Sequence, residues 1–185
     1  LPFLDVEGNI IGVNAMKAIW KQIILNSAST IIGPHADPFV LLLLKQVEFS
    51  LSQLSYNQSI NERQCKYALN ILMEVFLVSE LAKDIHVSTL EKMTKLLFYH
   101  LQMTKESHEV LGQAMNKLMV QVIETSDKTS SFHVLYKLLS KIYSKNESTQ
   151  QQQHVIDLIL RCLLSFFIKK MDSIRTLNIK MVLKD

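Results

Sequence analysis

The fold of this chain is decided by residues 119–139, MVQVIETSDKTSSFHVLYKLL. Before Ser126, a stripe of Val110, Leu111, Ala114, Leu118, Met119 and Val122 recurs at three- and four-residue steps. After Asp127, Phe132, Leu135, Tyr136, Leu139, Ile142 and Tyr143 do the same. That is the period of an α-helix with one apolar face. Ser126-Asp127 ends the first helix and caps the second, because a short oxygen-bearing side chain accepts an N–H of the first turn. Two such helices joined by so short a link must pack antiparallel on their apolar faces.

The same grammar extends in both directions. Residues 13–27 read as a helix with Ala15, Met16, Ile19, Trp20, Ile23 and Ile24 on one face, and Gly33-Pro34 breaks the chain after it. Asp37-Pro38 reads as an N-cap and a first-turn proline opening a helix to Leu54. Asn61 is expected to cap a helix to Ser79, with Cys65, Ala68, Leu69, Leu72, Val75 and Phe76 inward. Ser88-Thr89-Leu90-Glu91 has the form of a capping box before Met93, Leu96 and Leu97. Residues 150–170 form a further helix whose stretch from Val155 to Ile168 reads as the buried centre of the domain. Within it, Asp157 and Arg161 are spaced to pair on the helix surface. Asp172-Ser173 reads as another cap before a last helix from Ile174.

The expectation is therefore all-α: a solenoid of paired antiparallel helices, HEAT-like in that successive pairs repeat at about 45 residues. Residues 1–12 read as an irregular lead-in and 13–185 as one helical-repeat domain, truncated at its C-terminus. Four glycines and three prolines are too few for the many tight turns of a sandwich or barrel. A hydrophobic share of 48% argues for a packed core. The stretch 155–168 is too short and too charged to span a bilayer, and no membrane association is expected. The balance of 20 basic against 17 acidic residues, without a run of like charges, gives no reason to expect nucleic acid. Cys65 and Cys162 sit in apolar helical patterns and read as two buried thiols in a reducing compartment.

A search for chemistry finds none. His108-Glu109 begins like a zinc-protease motif, but Gly112 stands where the second imidazole is needed. The six histidines, at 35, 86, 100, 108, 133 and 154, lack ligand spacing and read as surface or edge residues. No phosphate loop or nucleophile elbow is present. Glu106 and Glu109 read as solvated charges. The chain is read as a non-enzyme without metal or cofactor; an enzyme with a dispersed site is the rival from another class.

What remains is surface. In a stack of helix pairs, the turns within each pair line one edge, a common place for protein partners. Those turns fall at residues 32–35, 80–86, 125–128 and 171–173, and they place Lys83, Lys128, Lys169 and Lys170 along one edge. Such a row favours an acidic protein, whereas the plainer reading is helix-end lysines facing helix dipoles.

Residues 119–139, with Arg161-Cys162-Leu163 downstream, resemble the divergent TOG-like region near the C-terminus of the ch-TOG and mini spindles family of microtubule polymerases. The resemblance runs from about Leu96 to Lys170 and centres on Ser126-Asp127-Lys128-Thr129. It implies a TOG-like array of HEAT repeats in a microtubule-associated, non-catalytic protein of the cytoplasm, placed at centrosomes and spindle poles. It further implies docking onto a TACC-family coiled-coil adaptor, directly or with residues beyond Asp185. The alternative it implies is direct binding of αβ-tubulin or microtubules through Lys83, Lys128 and Lys170. Tubulin-binding members place a tryptophan in the first intra-repeat turn. Here the only tryptophan, Trp20, lies mid-helix, and Gly33-Pro34-His35 carries none.

Overall fold

The stripes become helices. The computed structural model describes residues 8–26, 28–56, 58–103, 109–143 and 150–170, and among these no residue is in a strand. In chain order they form α1 (Gly8–Asn26), α2 (Ala28–Ile32), a 3-10 turn (Gly33–His35), α3 (Ala36–Ser52), α4 (Gln58–Leu77), α5 (Ser79–Asp84), α6 (Val87–Met103), α7 (Glu109–Thr125), α8 (Lys128–Tyr143) and α9 (Gln150–Lys170). Helix α1 thus begins at Gly8, within the stretch read as an irregular lead-in. The cap and helix readings for residues 171–185 lie outside the described residues.

The long helices stack in two layers. Helices α1, α4 and α7 follow one another in the first layer, and α3, α6 and α8 in the second. Helix α4 packs extensively on α1, α3 and α7, while α9 lies against α6, α7 and α8. This is the solenoid of helix pairs that the periodicity predicts. Its interior is continuous: Val40 and Val47 of α3, Phe76 of α4, Met93 of α6, Met115 of α7 and Ile159 of α9 are all fully buried in one core. The stripe of α4 is inward as expected, with Cys65, Ala68, Leu69, Leu72, Val75 and Phe76 each no more than 2% exposed. No single described helix is long and apolar enough to cross a membrane.

Two glycines hold special positions. Gly33 has φ of 39°, a left-handed conformation that favours glycine, and lets the chain turn between α2 and α3. Gly12 allows α1 to close on α4, since a Cβ there would stand 2.8 Å from Nε2 of Gln64.

Four expectations are corrected. Asp37 does not cap α3: the helix starts at Ala36 with His35 before it, and the Asp37 carboxylate accepts the backbone N–H of His86 at 2.9 Å. Asn61 lies inside the first turn of α4, buried, its Nδ2 donating to the carbonyl of Gln53 at 2.8 Å, which ties the α3–α4 turn to the helix. The Ser88–Glu91 capping box does not form. Instead α6 starts at Val87, and Nδ1 of His86 accepts the Ser88 N–H at 3.4 Å with the Ser88 hydroxyl at 2.9 Å. Helix α9 is not the buried centre: Leu160, Leu164 and Ile168 are 46%, 59% and 67% exposed. It packs on the stack through one side only, with Val155, Ile156, Ile159 and Phe166 inward.

Two local readings hold. Oδ2 of Asp127 accepts both the backbone N–H and the hydroxyl of Ser130, at 2.8 and 2.9 Å, capping α8. Arg161 pairs with Asp157 at 2.9 Å on the surface of α9.

Candidate functional site

The edge formed by the turns within helix pairs is built from α2 and the 3-10 turn, from α5 with its flanks, and from Ser126-Asp127. Contacts between side chains and backbone hold these turns side by side. The bond from His86 to Asp37 joins the first turn to the second. Nε2 of Gln121, near the end of α7, donates to the carbonyl of Phe76, near the end of α4, at 3.2 Å. The C-terminal ends of α4 and α7 are therefore neighbours on the same side.

On this edge Lys83 sits exposed in the last turn of α5, where its charge also faces the carbonyl end of that short helix. Lys128 is half-buried at the first position of α8, beside the Asp127 cap. Lys169 and Lys170 close α9, and their side chains lie outside the described residues. Trp20 is not on the edge. It is half-buried on α1, 5.8 Å from the Tyr67 ring of α4 between centroids, so it serves the α1–α4 packing.

The residues that sequence reasoning missed lie along α6 and α8. Glu91 of α6 holds three lysines: Lys95 at 2.6 Å, Lys141 at 3.1 Å and Lys137 at 3.6 Å, the last two from α8. Hydrogen bonding to Lys95 is the main reason its carboxyl is held down to about 2, with Lys141 and Lys137 adding to it against the opposing effect of burial. Beside this cluster a groove of about 530 Å³ opens between α3 and α6, lined by Leu41, Leu44, Lys45, Glu48, Lys92, Lys95, Leu96, Tyr99 and His100. Burial lowers the pKa of His100 there, against the pull of Glu48. The i,i+4 spacing of Glu91 and Lys95 is visible in sequence, whereas the partners on α8 are not.

Among the described residues no group of three or more His, Cys, Asp or Glu is placed to hold a metal ion. His133 is buried rather than at an edge, and His100 is half-buried, while His35 and His86 are exposed. Cys65 is fully buried and Cys162 half-buried, both as free thiols. Burial, reinforced by Glu62, pushes Cys65 up to about 12, and burial pushes Cys162 up to about 11. Neither is an activated nucleophile.

Two curated relatives share sequence with this stack of helices. One is Protein MOR1 of Arabidopsis thaliana, 33% identical over 116 aligned residues that cover 56% of this chain. The other is Protein MOR1 of Oryza sativa subsp. japonica, 31% identical over 137 residues covering 67% of this chain. This chain is homologous to a small part of MOR1. The matched stretch is 6% of each MOR1 protein, so the homology concerns one segment of a much longer molecule. No family model and no solved structure matches the chain.

Proposed function

We propose that this chain is a non-catalytic interaction domain of a microtubule-associated polymerase of the ch-TOG and mini spindles kind. It docks a TACC-type coiled-coil adaptor and so holds its parent protein at centrosomes and spindle poles. The observation that carries this reading is the homology to MOR1 over as much as 67% of the chain, which supports the family resemblance. The arrangement of the helices suits the role: a layered stack offers grooves and edges for an extended or helical partner.

The test is co-precipitation of a purified TACC-family coiled coil with this chain and with a version extended past Asp185, together with imaging of the tagged chain in dividing cells. Binding by either version and accumulation at spindle poles are expected. A coiled coil that binds neither version sinks the reading.

A second reading is direct binding of αβ-tubulin along the turn edge. It is favoured by the placement of Lys83 and Lys128 in turns of the same edge, against an acidic partner. Titration with αβ-tubulin at low and moderate salt tests it. Saturable, salt-weakened binding lost in Lys128→Glu is the expected signature. A negative side chain in the first turn of α8 suits the helix dipole, so this variant should stay folded. Unchanged affinity in Lys128→Glu removes the edge from consideration.

A further inference from the structure

We infer that the groove between α3 and α6 is the docking site for an acidic amphipathic helix of a partner protein. The inference deepens the docking role proposed above and rests on it. The floor of the groove is apolar, from Leu41 and Leu44 of α3 and Leu96 and Tyr99 of α6. Leu44 is 5% exposed and Tyr99 58%, so the floor grades from core into solvent. Its rims carry exposed Lys45 and Glu48 on one side and exposed Lys92 and Lys95 on the other, so the lysines outnumber the single carboxylate.

The positive field reaches beyond the groove. Lys137 and Lys141 of α8 share the Glu91 carboxylate with Lys95. Among these residues five lysines stand against Glu48 and Glu91, a local excess of three positive charges.

Shape and charge together select the occupant. From Leu41 to Glu48 the groove follows two turns of α3, about 10 Å at the rise of an α-helix. That length accepts apolar anchors spaced i, i+3 and i+7 on a partner helix, the usual mode of helix-in-groove binding. Acidic residues flanking those anchors then face the lysine rims. A nucleic-acid strand would need a series of stacking aromatics, and the groove offers Tyr99 with the His100 ring set edge-on against it, not a row. A lipid surface needs a projecting apolar face, and here the leucines form the floor of a concavity.

The experiment is fluorescence anisotropy of this chain with a fluorescein-labelled 15-residue synthetic peptide, leucine at i, i+3 and i+7 and glutamate on the flanks. A scrambled peptide of the same composition is the control. The patterned peptide should bind saturably and more weakly as salt rises. Affinity should fall about tenfold in Lys45→Glu/Lys92→Glu and by a similar factor in Tyr99→Ala. All three positions are exposed, and an unchanged thermal melt establishes that the variants fold.

Equal binding of the scrambled peptide, or undiminished binding by the double variant, overturns the inference. Preferential binding of single-stranded RNA or phosphatidylserine vesicles, lost in the same double variant, also overturns it. A double variant that loses the peptide but keeps the coiled-coil adaptor removes the groove and leaves the docking role standing. A wild-type chain that binds the peptide but not the adaptor does the reverse.

Discussion

The backbone N–H of His86 donates to Oδ1 of Asp37 across 49 residues of sequence, at 2.9 Å. One carboxylate thereby fixes the relative position of two successive turns. A hydrogen bond to a charged acceptor is stronger than a neutral one, and partial exposure reduces its net value. Asp37→Ala should cost about 1–2 kcal/mol in chemical denaturation and speed amide exchange at His86. Asp37→Asn, which keeps an acceptor, should lose less. Equal protection of the His86 amide in both variants would show that the turns are held by packing alone.

Glu91 makes stability depend on acid pH. Its carboxyl is lowered from an ordinary 4.5 to about 2, mainly by Lys95. A depressed folded-state pKa contributes stability that is complete above about 4.5 and is lost as pH falls toward 2. The exposure of Lys95 and Lys141 screens the interaction, so Glu91→Gln should cost about 1–2 kcal/mol at neutral pH. The gap between wild type and variant should close between about pH 4.5 and 2, and narrow in high salt. Parallel pH profiles for the two proteins would refute this assignment.

The two thiols should differ in reactivity. Both are held protonated, Cys65 up to about 12 and Cys162 up to about 11, and only Cys162 is partly accessible. In the native protein at mild alkaline pH, a colorimetric disulfide reagent should modify Cys162 slowly and Cys65 only on unfolding. Mass spectrometry of the modified peptides reads the order directly.

Truncation should separate the core from the outer face of α9. Phe76 is fully buried in α4, and Phe76→Ala should cost about 3–5 kcal/mol. Leu164 is 59% exposed, and Leu164→Ser should change stability by no more than about 0.5 kcal/mol. A large loss from Leu164→Ser in urea titration would mean that this face is covered in solution.

The Asp127 cap provides a local test. Its carboxylate accepts two bonds from Ser130 at the start of α8. Asp127→Ala should destabilise by about 1–2 kcal/mol, with a melt-detected loss that Asp127→Asn largely restores.

The helices and most of their inward faces were legible in the sequence because each stripe is a local property of its own segment, although Ile19, Ile24, Val110 and Tyr136, read into the stripes of α1, α7 and α8, are exposed. Cys65 through Phe76 needed nothing beyond the helical period to be placed inside. The caps failed where a distant group competed for the same atoms. Asp37 offers its oxygen to His86, and Glu91 answers lysines of α6 and α8 rather than the N–H of Ser88. Hydrophobicity alone misplaced α9, since a run of leucines does not say how many of its sides have neighbours. Of the candidate lysines, Lys83 and Lys128 fell on the expected edge because the helix pairing was readable. The groove between α3 and α6 was not, because it joins residues about 50 positions apart, such as Lys45 and Lys95.

The short helices α2 and α5, five and six residues long, sit on the turn edge. Helices of that length do not persist by themselves and lean on the layers for their order. Helix α4, enclosed by α1, α3 and α7, is the rigid spine of the molecule by contrast. Thermal fluctuations should therefore gather on one rim, where segments open and reclose long before the spine does. A ligand gripping that rim has to freeze it, which taxes affinity and favours rapid exchange, whereas one seated between α3 and α6 meets a surface already set.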